Sequence, residues 1–64
     1  MSSHIIIGTE TLNVDRGATI EDAMISAGKH PDAFLFLLKG RPVPMTIIPE
    51  DGTYIEALRV ASGG

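Results

Sequence analysis

Apolar and polar positions along the chain switch between the period of a strand and the period of a helix. His4-Ile5-Ile6-Ile7 is a short β-branched run, and Thr11-Leu12-Asn13-Val14 alternates polar with apolar. Both read as strands, with Leu12 and Val14 on the core face of the second. Gly8-Thr9-Glu10 between them predicts a hairpin loop, in which Gly supplies backbone angles that other residues avoid. Asp15-Arg16-Gly17 breaks the pattern. Beyond it Ile20, Ala23, Met24 and Ala27 recur at three- and four-residue spacing, the apolar stripe of one helix. Thr19 stands at its N-cap. Glu21 and Asp22 occupy the first turn, where acids complement the positive end of the helix dipole. Gly28 is placed to end the helix in a left-handed cap, Lys29 suits its negative end, and Pro31 prevents continuation.

Residues 33–38, Ala-Phe-Leu-Phe-Leu-Leu, are apolar without a period. Their short length and the turn signals on both sides predict a central strand. Lys39-Gly40-Arg41-Pro42 predicts a turn. Met45-Thr46-Ile47-Ile48 reads as a short strand or a loosely packed connection, and Pro42, Pro44 and Pro49 confine it to an edge or to irregular structure. Pro49-Glu50-Asp51-Gly52 predicts another turn, followed by a last strand over residues 54–60. In that strand Ile55 and Ala57 share one phase, while Leu58 and Val60 fall in the other. Either a bulge shifts the register, or both faces carry apolar residues and Leu58 and Val60 are free to meet a partner. The order strand, strand, helix, strand, short strand, strand predicts an α+β fold. Its mixed sheet has four to five strands, one helix packs on a single face, and the first and last strands run parallel at the centre. This is a ubiquitin-like β-grasp.

Composition narrows the function. Sixty-four residues allow one domain with a small core and no deep cleft. Absence of Cys excludes disulfides and thiolate metal sites and agrees with an intracellular protein. The basic residues Arg16, Lys29, Lys39, Arg41 and Arg59 are scattered over a chain of net charge -3, which is no footprint for nucleic acid. The apolar run at 33–38 is too short to span a bilayer, and Met1-Ser2-Ser3-His4 lacks the basic start of a secretory signal. A soluble, cytoplasmic monomer is expected. His4 and His30 stand beside no ligand cluster, so no metal is expected. Asp15, Glu21 and Asp22 read as turn and cap residues rather than catalytic carboxylates, and Lys39-Gly40-Arg41 lacks the signature of a phosphate-binding loop. No catalytic residue is assigned. Phe34 and Phe36 read as core or sheet-face residues. An outward Phe36 would join Leu58 and Val60 in a docking patch.

The chain given stops on Gly63-Gly64. A carboxylate on Gly64 has no side chain beside it, and Gly63 lets the backbone pass a narrow channel. Residues 1–60 are expected to form the domain and residues 61–64 a flexible tail. Fully extended, those four residues reach about 13 Å.

The element order, the Lys39-Gly40-Arg41-Pro42-Val43-Pro44 and Glu50-Asp51-Gly52 turns, the Ile55-Glu56-Ala57 strand and the Gly63-Gly64 end together carry a likeness. The chain resembles the small β-grasp sulfur carriers of thiamine and molybdopterin synthesis and the related archaeal ubiquitin-like modifiers. The likeness spans the chain by pattern and is most specific in its last fifteen or so residues. It departs from the family in the proline-rich stretch from Pro44 to Pro49 and in the small Ala57. The resemblance implies a protein that is not an enzyme and binds no cofactor. It implies activation by an E1-like adenylating enzyme that uses ATP and Mg²⁺. Gly64 would be the activated residue and Gly63 would supply clearance. The activated carboxyl then passes either to sulfur, giving a thiocarboxylate for a sulfur-accepting enzyme in cofactor synthesis or tRNA thiolation, or to lysines of target proteins, giving an isopeptide bond. A β-grasp interaction module with an incidental Gly-Gly is the remaining alternative.

Overall fold

The two N-terminal runs fold back on each other as their alternation requires. In the computed structural model, which describes residues 2–60, strands β1 (Ser3–Ile7) and β2 (Glu10–Val14) pair antiparallel from Ser3↔Val14 to Ile7↔Glu10. The connection is two residues long, so Glu10 opens β2 instead of closing the predicted three-residue loop. Gly8 takes φ 58, a conformation that favours glycine.

The helix α1 (Ile20–Ser26) begins and ends where its sequence signals stand. Its first amide groups lack intrahelical acceptors and need others. Ile20 N–H donates to the Ile47 carbonyl at 3.2 Å and Glu21 N–H to the Met45 carbonyl at 2.8 Å. Asp22 N–H donates to the Thr19 hydroxyl at 3.0 Å. The stretch at 45–48 is therefore a connection and not a strand, and its carbonyls cap the helix. At the other end Gly28 N–H donates to the Ile25 carbonyl and Lys29 N–H to the Met24 carbonyl, with Gly28 at φ 76. This paired arrangement is a Schellman motif. Ala27, expected in the apolar stripe, is exposed at the C-cap, because the helix stops one residue before it. Lys29 reaches across to Glu10 at 2.9 Å instead of serving the last turn.

A single 3₁₀ turn (Pro31–Ala33) leads into β3 (Phe34–Leu38), one residue later than predicted because Pro31 starts a short helical turn that includes Ala33. The following hairpin differs from the expected four-residue turn. Only Lys39 and Gly40 turn, at φ 52 and φ 81, and these signs define a type I′ turn. Arg41 and Pro42 belong to β4 (Arg41–Val43), which pairs antiparallel with β3. Pro42 opposes Leu37, one pair beyond the pair that closes the turn. At that position a backbone N–H would point away from β3, so the missing donor breaks no ladder bond.

The last strand, β5 (Tyr54–Arg59), enters between β1 and β3. It runs parallel to β1 and antiparallel to β3, and the sheet order is β2-β1-β5-β3-β4. The result is a small α+β domain with a five-stranded mixed sheet. Ile5, Val14, Phe36, Ile55 and Ala57 on the inner face meet Ile20 and Met24 of α1 in the buried core. Full burial of a side chain such as Ile5, Ile20, Met24 or Ile55 contributes about 2 kcal/mol. Leu12, Phe34, Leu38 and Val43 pack around its margin.

Candidate functional site

Successive side chains of a strand point to opposite faces, so the inward set on β5 decides the outward one. Ile55 and Ala57 are buried, and Tyr54, Glu56 and Leu58 accordingly face outward. Pairing with β3 is continuous from Leu37↔Glu56 to Phe34↔Arg59, so no bulge resets the phase. Of the two readings open in the sequence, the two-sided strand is the one observed. Leu58 and Val60 remain 43% and 40% exposed.

Register assembles the rest of this face. Leu35 stands opposite Leu58, and Leu37 and Ile6 flank Glu56 on β3 and β1. Leu35 is exposed, while Ile6 and Leu37 are half-buried by their neighbours. At the far end the ring of Tyr54 stacks on His4, with centroids 5.1 Å apart. Thr11, Asn13 and Pro42 mark the exposed margins on the edge strands. An apolar stripe thus runs along β5 and its two neighbours, on the side of the sheet away from the helix.

Phe36 is not part of it. It opposes Ala57 and Val43, faces the helix and is only 3% exposed, so its expected place in a docking patch is corrected. Leu35 takes that place. The run at 33–38 is apolar on both faces, and its phase depends on partners far away in sequence. Leu35, Leu37 and Ile6 therefore escaped sequence reasoning, and the β5 pattern offered a two-sided sheet only as one of two readings.

The end of β5 is held to its neighbours. Val60 N–H donates to the Ala33 carbonyl at 2.9 Å, one residue past the strand. The Arg59 guanidinium lies over the Phe34 ring, 5.8 Å from its centroid. Such a contact contributes about 0.5–1 kcal/mol at an exposed site. The chain is therefore anchored up to the residue before 61. Residues 61–64, with Gly63 and Gly64, lie outside the described residues. A hollow of about 640 Å³ opens beside this end, lined by Ile7, Lys29, His30, Phe34, Ala57 and Arg59. Two of its cations are engaged, Lys29 with Glu10 and Arg59 with Phe34.

Among the described residues no three His, Asp or Glu side chains come together in a way that would hold a metal, and no helix is long and apolar enough to cross a membrane. No protein-family model, curated protein or solved structure matches the chain.

Proposed function

We propose that the chain is a ubiquitin-like β-grasp sulfur carrier whose Gly64 carboxyl group is activated by an E1-like adenylating enzyme. One observation carries the reading. The strand that precedes the sequence Ala61-Ser62-Gly63-Gly64 is an inner strand of the sheet, anchored as far as Val60, and its outer side exposes Leu58 and Val60. A partner that covers Leu35, Leu58 and Val60 holds the domain by a rigid surface while the diglycine segment extends into its active site.

The chemistry asks little of the carrier. A carboxylate is ionised at neutral pH and is a poor electrophile. Its oxygen attacks the α-phosphorus of ATP, and pyrophosphate leaves. The acyl-adenylate then accepts a hydrosulfide equivalent at the carbonyl carbon, and AMP leaves with the electron pair of the broken C–O bond. The product is a thiocarboxylate, with no net oxidation or reduction in these steps. ATP, Mg²⁺ and the sulfur donor are brought to the site by the partner. The carrier supplies a reactive end without a side chain at Gly64 and room around it at Gly63. It supplies no acid or base.

Deletion of Gly63 and Gly64 tests the reading. The shortened chain is expected to bind the adenylating enzyme through the sheet face yet form no adenylate, as measured by ATP–pyrophosphate exchange. Exchange that persists after the deletion would sink the assignment. Adducts joined through Gly64 to target lysines, in place of a thiocarboxylate, would identify a protein modifier.

A further inference from the structure

Glu56 sits in the middle of the apolar outer face. Ile6 and Leu37 stand beside it across the sheet, and Tyr54 and Leu58 are its same-face neighbours along β5. Directly opposed side chains lie about 5 Å apart and those two residues along a strand about 7 Å, so all four border the carboxylate. Glu56 is exposed, and water solvates its charge in the free domain. The ion pairs among the described residues, Arg16 with Asp51 and Lys29 with Glu10, do not involve it. The two arginines carried by strands give it no help. Arg59 and Arg41 occupy inward register positions, and Arg59 is spent on Phe34.

A partner that covers this face removes that water. A carboxylate enclosed by Ile6, Leu37, Leu58 and the partner's own apolar atoms would be strongly penalised unless a cation met it. A second copy of this chain, docked two-fold about Glu56, brings no outward cation from its strands to that point. A two-fold contact through the same face brings the two Glu56 rows together and leaves like charges facing each other. We propose that the partner of this face presents one Arg or Lys to Glu56 at the centre of an otherwise apolar contact, and that this pair selects the correct partner by charge. The inference rests on the sulfur-carrier reading for the partner's identity as the adenylating enzyme. The cation and its place follow from the face itself.

The test is ATP–pyrophosphate exchange with the purified adenylating enzyme of the same genome, ATP and Mg²⁺, with the full chain as varied substrate. Glu56→Gln is expected to raise KM roughly thirtyfold, equivalent to about 2 kcal/mol, with kcat unchanged. Glu56→Lys is expected to raise it further. Ser26→Lys, exposed on α1 at the opposite side of the sheet, should leave KM within about twofold. The wild-type KM should climb with salt more steeply than that of Glu56→Gln, because one ion pair is missing in the variant. Thermal unfolding establishes that each variant is folded. A Glu56→Lys chain with wild-type KM overturns the pairing and leaves the carrier reading standing. Absence of exchange with the wild-type chain overturns the carrier reading, and the pairing with it.

Discussion

Thr19 shows how much of this domain is written at single positions. Its hydroxyl accepts the Asp22 N–H, and no other side chain among the described residues does this for α1. Thr19→Ala should lower stability by about 1 kcal/mol in denaturant unfolding, with the slope against denaturant unchanged, because a cap is lost and the buried core is untouched. A change in that slope would instead mean a change in the surface exposed on unfolding. Signals of this kind were legible in the sequence because they act within a few residues. Thr19 before the apolar stripe and Gly28 after it bounded the helix correctly. Phe36 was not legible. Its inward face is decided by Ala57 and Val43, and a continuous apolar run carries no phase of its own.

Elements show the same division between local and distant causes. The two-residue turn at Lys39 and Gly40 needs positive φ at both positions, and Lys39 adopts φ 52 at a steric cost that Asn would reduce. Lys39→Asn should raise stability by about 0.5 kcal/mol in the same unfolding experiment, through a better fit to the type I′ turn. A lower midpoint would contradict that geometry. The turn was visible in the sequence, but its length was not, because Pro42 suggested a break where the structure has an edge strand. The segment at 45–48 left a second ambiguity. Its apolar residues suited a strand, yet the carbonyls of Met45 and Ile47 are used by the first turn of α1. A tertiary demand for acceptors at the helix start outweighed local β preference.

At the scale of the molecule, one sheet serves two surfaces. Its inner face closes the core on Ile20 and Met24 of α1, and its outer face keeps Leu35, Leu58 and Val60 in contact with water. The parallel pairing of β1 with the first half of β5 sets the latter strand inside the sheet, and β3 and Ala33 hold its last residues as far as Val60. The central position of the last strand was legible in the sequence, but whether a bulge or a two-sided face explained its mixed phase was decided only by its continuous pairing with β3. The membership of the outer face was not legible, because it depends on register among β1, β5 and β3. In the proposed carrier that face docks the partner while the diglycine end reacts, and the intact mass of the chain tests this most directly. After incubation with the adenylating enzyme, ATP, Mg²⁺ and a sulfur donor, the chain ending at Gly64 should gain about 16 Da, as sulfur replaces one carboxyl oxygen. The gain should require ATP and vanish when Gly63 and Gly64 are deleted. An unchanged mass with an enzyme competent on its own carrier, or the same gain in the deleted chain, would contradict the account.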